Sequence, residues 1–280
     1  MPMRYSNSRK ITRLLGSLLV SVVLVMAAGY SIQSSAAPAL ASDSPTILLT
    51  GSNRGVGLAL VKEYASHGWN VIASCRSPRK AAELNALAAA NPKIHVEQLD
   101  VTDVGQINKL AAKYRGVPID VLFNNAGWLG TPIGKQQFGN LDKQLFVDVM
   151  LTNVYGPLKL AEAFVSNVEA SKQKKIIGMT SGLGSLTLMG RMSRFYDYQM
   201  SKAAMNMGMR ALRNDLKGRG IAVGIVAPGM VDTDMLEESG YSGKALTPAE
   251  SAAGLYKLVA ALTPEDKGLP VNVDGKVIPW

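Results

Sequence analysis

Short apolar, β-branched runs alternate with longer segments of helical period from Pro45 onward. Continuous apolar runs bounded by turn residues are typical of buried strands, and spacings of three and four residues are typical of helices. The predicted strands are Thr46–Thr50, Asn70–Ser74, His95–Leu99, Asp120–Asn124, Lys175–Thr180, Ile221–Ala227 and a short one near Val271–Val273. The clearest predicted helices are Val56–His67, Pro78–Ala89, Val104–Tyr114, Asp142–Val168, Tyr198–Lys217 and Pro248–Leu262.

This alternation predicts an α/β fold, a single doubly wound domain over residues 45–280 with a mostly parallel seven-stranded sheet. A chain of 280 residues that is 47% hydrophobic can form one such domain after a leader, but not two full-sized ones. Right-handed crossovers place the ligand crevice beyond the carboxyl ends of the strands. We therefore expect the chemistry in the loops at that edge.

The first 41 residues have the pattern of an export signal. Four basic residues precede an apolar run of sixteen, Leu14 to Gly29, and Ala39-Leu40-Ala41 follows as an A-x-A site. A run of sixteen is short for a bilayer span, which needs about 20 residues. The pattern predicts cleavage after about Ala41 and export of the domain. One alternative is an uncleaved membrane anchor. The other is translation from Met26, which would give a cytoplasmic enzyme.

Charge adds little to this picture. The net charge is +9, but four basic residues belong to the leader, and the remaining +5 is scattered along the chain. With only 6% aromatic residues the composition does not favour nucleic-acid binding, and a phosphate-rich cofactor explains the basic excess as well. The single cysteine, Cys75, excludes an internal disulfide, and two histidines without zinc-ligand spacing predict no metal.

A glycine-rich turn joins the first strand to the first helix. Glycines allow the turn to be tight and let backbone N–H groups approach a pyrophosphate at the positive end of the helix dipole. This context predicts a dinucleotide site of the Rossmann type, with a purely structural turn as the alternative. The candidate cofactor contacts are Gly51, Asn53, Arg54, Gly55, Val56 and Gly57.

The end of the second strand bears on the choice of cofactor. An NAD site places a carboxylate there, whereas this chain has Ser74-Cys75-Arg76. Arg76 and Arg54 could both pair with a 2′-phosphate, so the sequence favours NADP(H) over NAD(H). The alternative for both arginines is a solvated loop charge.

A Tyr and a Lys four residues apart share one helix face, where the ammonium can stabilise the phenolate. The sequence contains this pair twice, as Tyr155/Lys159 and as Tyr198/Lys202. Gly156 and Pro157 interrupt the first pair, whereas the second opens a clean helix and follows a strand that delivers Ser181 to the crevice. We therefore predict that Tyr198, Lys202 and Ser181 are catalytic.

Six motifs follow one another along the chain: Thr50-Gly-x-x-x-Gly-x-Gly57, Asn124-Asn-Ala-Gly127, Asn153, Ser181, Tyr198-x-x-x-Lys202 and Pro228-Gly229. Their order, and nearly their spacing, resemble those of the short-chain dehydrogenase/reductase family, and the resemblance covers about residues 45–280. The ending Asp274–Trp280 is also similar to that of the subgroup containing Sniffer-type carbonyl reductases and bacterial C-signal proteins.

The resemblance implies further roles. Asn153 would hold a water that links Lys202 to solvent, and Lys202 would also bind the nicotinamide ribose. The further cofactor contacts that it implies are Asp100 and Val101 beside the adenine, Asn125, Ala126 and Gly127, and Pro228, Val231 and Thr233, the last two toward the nicotinamide. Ser181 lies seventeen residues before Tyr198, a wider spacing than is usual in the family and one that makes Ser185 a rival.

The resulting expectation is an NADP(H)-dependent oxidoreductase that transfers a hydride between the nicotinamide and a small, fairly hydrophobic carbonyl or alcohol. The apolar residues of the loops after Ser181 and Pro228 would line its pocket. The alternatives are a signalling or binding protein that uses NADP as a structural ligand, and an epimerase or dehydratase. The resemblance also implies a homo-oligomer that pairs through the helices Asp142–Val168 and Tyr198–Lys217.

Overall fold

Seven strands carry the apolar runs of the sequence. The structure, a computed structural model, describes residues 40–190 and 194–279. Each strand lies within one or two residues of its predicted position. In chain order they are β1 (Thr46–Thr50), β2 (Asn70–Cys75), β3 (Ile94–Gln98), β4 (Val121–Asn124), β5 (Lys175–Met179), β6 (Ala222–Ala227) and β7 (Pro270–Asn272).

The strands form one sheet in the order β3-β2-β1-β4-β5-β6-β7. Every pairing between neighbouring strands is parallel, so the sheet is more regular than the mostly parallel one predicted. The chain reverses its direction of winding between β1 and β4, where Ile47 pairs with Val121. Such a switch point opens a crevice beyond the carboxyl ends of the strands.

Helices cover both faces of this sheet. Leu60 and Leu255 pack with Ile47 and Val71 on one face, and Leu160 packs with Leu48 on the other. Strands β1 and β6, buried at every position, are almost entirely apolar, whereas the edge strand β3 is partly exposed and more polar. The helices are α1 (Gly55–Ser66), α2 (Ala82–Ala90), α3 (Val104–Lys113), α4 (Lys143–Met150), α5 (Gly156–Glu169), α6 (Tyr196–Leu216), α7 (Asp234–Glu238) and α8 (Pro248–Ala261).

The long helix predicted over Asp142–Val168 is wrong in detail. A single π-helical turn, Leu151–Tyr155, separates α4 from α5. Pro157 has no N–H to donate to the carbonyl of Asn153, four residues earlier, so the ordinary α-helical hydrogen bond cannot form there. Pro78–Ala89 is likewise a 3₁₀ turn, Pro78–Lys80, followed by α2.

The short helix α7 lies in a segment that the sequence predicted as loop. Thr233 caps it by accepting a hydrogen bond from the backbone N of Leu236. The predicted leader, residues 1–41, lies outside the described residues apart from its last two. Within residues 40–190 and 194–279, no helix combines the length and the apolar character that crossing a bilayer requires.

Candidate active site

The glycine-rich turn after β1 approaches the first strand of the second half of the sheet. Gly51 has φ +70°, and a Cβ there would lie 2.9 Å from the Cα of Ala126. A Cβ on Gly57 would lie only 2.0 Å from the carbonyl oxygen of Gly51. Both positions therefore require glycine, the first for its backbone conformation and the second for the close approach of α1 to the turn.

Side chains at the ends of β1 and β4 hold the two halves of the sheet together. The Thr50 hydroxyl accepts hydrogen bonds from the backbone N of Asn125 and of Ala126, at 3.1 and 3.0 Å. The Asn125 amide donates to the carbonyls of Thr50 and Gly51, at 2.8 and 3.1 Å. Asn125 thus fixes the glycine-rich turn from across the switch point.

A cavity of about 670 Å³ opens at this edge of the sheet. Its volume is within the range of cofactor and ligand sites. It is bordered by most residues predicted to bind a cofactor: Gly51, Asn53, Arg54, Gly55, Val56, Gly57, Arg76, Asp100, Val101, Asn125, Ala126, Gly127, Pro228 and Thr233. Val231 does not border it; this residue is buried and forms a β-bridge with Leu246.

The sequence missed several residues that border the cavity. Trp128 directly follows the Asn-Asn-Ala-Gly motif, which could have indicated it, whereas Asp148 belongs to α4 and Thr152 to the π-helical turn that also contains Asn153. Asp234 belongs to α7. No sequence motif marks these last three positions. Met235, also in α7, is one of the apolar residues after Pro228 that were expected to line the pocket, and it borders the cavity.

The two arginines predicted to converge on a phosphate have different surroundings. The Arg54 guanidinium pairs with the carboxylate of Asp234 on α7, and both side chains are well exposed. Arg76 borders the cavity at the end of β2. The Arg54–Asp234 pair joins the glycine-rich turn to the segment after β6.

Tyr198 lies in the first turn of α6 and is buried, with 7% of its surface exposed. Burial raises the pKa of its phenol to about 12, and a hydrogen bond with the Ser181 side chain opposes part of this rise. Ser181 follows β5 and also accepts a hydrogen bond from the backbone N of Leu183, at 3.2 Å. The structure thus brings Ser181 to the phenol of Tyr198.

Lys202 is one helical turn after Tyr198 and is also buried. Its ammonium lies 5.5 Å from the centroid of the Tyr198 ring and donates to the carbonyl of Met179, at 2.9 Å. Burial lowers its pKa to about 8. Because its surroundings stabilise the positive charge only weakly, the ammonium would interact favourably with a phenolate formed beside it.

Asn153 lies in the π-helical turn and anchors the backbone of Trp128. Its amide nitrogen donates to the Trp128 carbonyl, and its oxygen accepts from the Trp128 N–H, both at 2.8 Å. The same nitrogen lies 2.9 Å from the Ser201 hydroxyl oxygen. A Cβ on Gly127 would lie 3.4 Å from the Lys202 ammonium and 3.5 Å from the Asn153 oxygen, so Gly127 leaves room between these two side chains.

The other Tyr/Lys pair is outside this arrangement. Tyr155 is 44% exposed, and Lys159 pairs with Glu162 on the surface of α5. Neither residue borders the cavity. The position on a helix that starts beside β5, rather than the four-residue spacing, therefore distinguishes Tyr198 and Lys202.

The comparison with protein families decides the affiliation of the chain. The short chain dehydrogenase family matches residues 45–242, more than half of the 280 residues. This chain is a short-chain dehydrogenase/reductase. The dehydrogenase is 32% identical over 251 residues to an uncharacterized oxidoreductase of Schizosaccharomyces pombe, covering 83% of this chain and 96% of that protein.

Relatives of the predicted subgroup also match this dehydrogenase. The C-signal of Myxococcus xanthus is 31% identical over 163 residues, covering 58% of this chain and 93% of C-signal. Among solved structures, NADPH-bound carbonyl reductase from chicken fatty liver has a TM-score of 0.77 and 30% identity, covering 85% of this chain and 99% of that one. The carbonyl reductase Sniffer of D. melanogaster has a TM-score of 0.77 and 29% identity, with coverage of 85% and 100%.

These matches confirm the predicted family, its resemblance to the Sniffer and C-signal subgroup, and the doubly wound fold. The dehydrogenase is accordingly an oxidoreductase enzyme.

Proposed function

We propose that this enzyme reduces carbonyl compounds, or oxidises the corresponding alcohols, with NADP(H) and with Tyr198 as the proton donor and acceptor. One observation carries the proposal: the phenol of Tyr198, beside Ser181 and with the Lys202 ammonium 5.5 Å from its ring centroid, borders the same cavity as the glycine-rich turn. A proton donor and a dinucleotide cradle at one cavity are what hydride transfer to a carbonyl requires.

The residues of the cavity fit a dinucleotide. Gly51, Gly55 and Gly57 present backbone rather than side chains to the cavity, and the buried Thr180 hydroxyl, which borders it, has no hydrogen-bond partner within the described ranges. Arg76 at the end of β2, where an NAD site has a carboxylate, supports a preference for NADP(H). The NADPH bound to the chicken carbonyl reductase supports the same choice.

In the reducing direction, the bound nicotinamide supplies the hydride. The Ser181 and Tyr198 hydroxyls donate hydrogen bonds to the substrate oxygen, and the phenol gives up its proton as charge develops there. The Lys202 ammonium stabilises the resulting phenolate, which offsets the effect of burial on the pKa of Tyr198. We further propose that Asn153 holds a water through which Lys202 exchanges protons with solvent, and that Lys202 contacts the nicotinamide ribose.

The surroundings of the phenol support an apolar substrate. Tyr198 forms a buried cluster with Leu129 and Phe195, against which Leu183 and Met235 pack. A small to medium aldehyde, ketone or alcohol with an apolar substituent would bury that substituent against this cluster. Leu186, predicted for the same wall, is 79% exposed and lies outside the cluster.

Replacement of Tyr198 by Phe tests the proposal. We expect kcat to fall by roughly 10²–10⁴-fold, as for the loss of a positioned proton donor, while the Kd of NADPH stays within a few-fold. Tyr155→Phe, in the other Tyr/Lys pair, is the matched control and should keep full activity. Turnover by the Tyr198 variant at the wild-type rate would refute the proposed role.

The same variant addresses the alternative that the cofactor is only a structural ligand. The similarity to C-signal gives this alternative its basis. A biological activity that survives Tyr198→Phe would support a signalling or binding function, since turnover would then be dispensable. Consumption of one NADPH per substrate in the wild type would exclude an epimerase or dehydratase, which consumes none.

We propose two further properties. The N-terminal segment would direct export or membrane anchoring; a mature N-terminus near Ser42 would support cleavage, Met1 in a membrane fraction an anchor, and a start near Met26 a cytoplasmic enzyme. The enzyme would also self-associate through the segment of α4 and α5 and through α6, where Met207 is 61% exposed. A purely monomeric species in analytical ultracentrifugation would contradict the latter.

A further inference from the structure

One buried amide connects the loop that follows Gly127 to the helix that carries Tyr198. Gln136 has no exposed surface, although it lies in a segment, residues 128–142, that is otherwise largely accessible. A fully buried glutamine must satisfy both a carbonyl oxygen and an NH₂ group, or it destabilises the fold. Gln136 satisfies both, and its two ends reach different elements.

The oxygen end contacts the start of α6. Oε1 accepts a hydrogen bond from the backbone N of Tyr198 at 3.0 Å, and the backbone carbonyl of Gln136 accepts one from the N–H of Tyr196, also at 3.0 Å. The first N–H groups of a helix have no partner within the helix itself. Gln136, 62 residues earlier in the chain, therefore supplies the hydrogen-bond acceptors that a residue directly before the helix usually supplies.

A local cap is indeed lacking at this helix end. The residue in the capping position is Phe195, whose side chain makes no capping hydrogen bond and whose backbone is left-handed, with φ +63°. Left-handed backbone is costly for a bulky residue. Contacts from outside the helix must hold this turn in place, and Gln136 makes two of them.

The nitrogen end contacts the loop. Nε2 donates to the carbonyl of Leu129, at 2.8 Å, and to that of Gly130. Gly130 has φ +79°, and a Cβ there would lie 2.7 Å from Nε2, so the backbone leaves just enough room for the amide. Leu129 packs in turn on Phe195 and Tyr198. The loop and the helix start therefore form one hydrogen-bonded and apolar unit around Gln136.

We infer that Gln136 is a positioning residue for Tyr198. Gln136 fixes the first turn of α6 and couples this turn to the loop beside the substrate. This inference rests on the proposed function, in which the Tyr198 phenol transfers the proton. The amide group is essential because only it can accept from the helix and donate to the loop at once. A displacement of the phenol by about 1 Å is enough to slow the chemical step strongly.

Two variants separate the two ends of the amide. Gln136→Met keeps the length and loses both ends, whereas Gln136→Glu, neutral in this fully buried position, keeps an acceptor for the Tyr198 N–H and can donate to only one of the Leu129 and Gly130 carbonyls. Asn140→Ala is the matched control. Its amide also donates to a carbonyl of the loop, that of Gly134 at 2.7 Å, but it does not reach α6.

We expect the kcat of Gln136→Met, per site that binds NADPH, to fall by roughly 10- to 100-fold with the Kd of NADPH nearly unchanged. The deuterium isotope effect on kcat with deuterated cofactor should rise, since hydride transfer becomes limiting. Gln136→Glu should recover part of kcat but raise KM for the carbonyl substrate. Asn140→Ala should leave all four quantities, kcat, KM, the Kd of NADPH and the isotope effect, at their wild-type values.

Loss of thermal stability without a change in kcat per binding site would overturn the inference, because Gln136 would then be a structural residue only. Equal kcat values for the Met and Glu variants would also contradict it. If Gln136→Met does not fold, Gln136→Glu still tests the inference: its KM and its isotope effect should both exceed the wild-type values, and unchanged values would contradict the inference. An active Tyr198→Phe variant would refute the proposed function, independently of the results for Gln136.

Discussion

The hydroxyl of Ser185 donates a hydrogen bond to the backbone carbonyl of Pro279, 94 residues later in the chain. The same hydroxyl accepts a hydrogen bond from the backbone N of Leu188, at 3.1 Å. Ser185 therefore fastens the end of the described chain to the loop after β5. Ser181, in contrast, lies beside the phenol of Tyr198 and lowers its pKa.

The two serines should respond differently to replacement by alanine. For Ser181→Ala we expect kcat to fall by about 10²-fold, the usual cost of losing one donor to a developing oxyanion. Ser185→Ala should keep kcat within a few-fold and lower the free energy of unfolding by roughly 1 kcal/mol. Steady-state kinetics and chemical unfolding of both variants test this, and the reverse pattern would make Ser185 the catalytic serine.

Arg76 should determine the preference for NADPH. We expect Arg76→Ala to raise the Kd of NADPH by roughly 10-fold or more, the value of a hydrogen bond between charged groups, and to leave the Kd of NADH unchanged. Arg54→Ala should have a smaller effect, because Arg54 is paired with Asp234. Calorimetric titration with both cofactors measures these constants. Equal weakening of NADPH and NADH by Arg76→Ala would exclude a specific contact with the 2′-phosphate.

The buried ammonium of Lys202 should cost stability at neutral pH. Its pKa is about 8 in the folded chain, below the ordinary lysine value of 10.5. Between these values the unfolded chain binds more protons than the folded one, so this group's contribution to stability increases as the pH rises from about 8 to 10.5. Below pH 8 the burial of the charged ammonium lowers the free energy of unfolding by its full amount.

Lys202→Met should therefore be inactive but more stable than the wild type at pH 7, by on the order of 1–3 kcal/mol. The difference should shrink when the pH is raised to 10. Urea unfolding of both proteins at the two values measures it. A difference that does not depend on pH would mean that Lys202 titrates normally in the folded protein.

The close approach at Gly57 should make this position intolerant of any side chain. A Cβ would lie 2.0 Å from the carbonyl oxygen of Gly51 and 2.6 Å from the amide nitrogen of Asn125. We expect Gly57→Ala to destabilise the fold by more than about 2 kcal/mol, as overpacking does, and to abolish cofactor binding. Gly218→Ala, where a Cβ would meet nothing within 4 Å, is the control and should be neutral in thermal unfolding.

Most of the fold could be predicted because its signals are local. Strands buried on both faces are continuous apolar runs, and β1 was predicted to the residue. Helix ends were less accurate because they depend on capping contacts; α6 begins two residues before its predicted start, where Gln136 provides the cap. The periodicity of apolar residues also continues through the π-helical turn, which made α4 and α5 look like one helix.

The candidate site could be predicted where a residue type has few other uses. Glycines in a strand-to-helix turn are such residues, whereas the Tyr/Lys pair occurs twice and only its position after a strand that ends in Ser181 separates Tyr198 and Lys202 from the surface pair. The glycines, Tyr198 and Lys202 border one cavity. Gln136 and Asp234 could not be found in this way, because their contacts join segments 62 and 180 residues apart in sequence. Ordinary polar residues in loops gain such roles only through the tertiary fold.

The π-helical turn makes the site sensitive to the length of the chain as well as to its side chains. It holds one more residue than an α-helical turn would, and deletion of Thr152 would remove that extra residue, although Pro157 would still lack an N–H for the carbonyl of Asn153. Each residue of an α-helix advances by about 100°, so the deletion would rotate Asn153 relative to α4 and away from Trp128 and Ser201. A single deletion would thus detach the loop beside the substrate while every side chain of the anchor is still present.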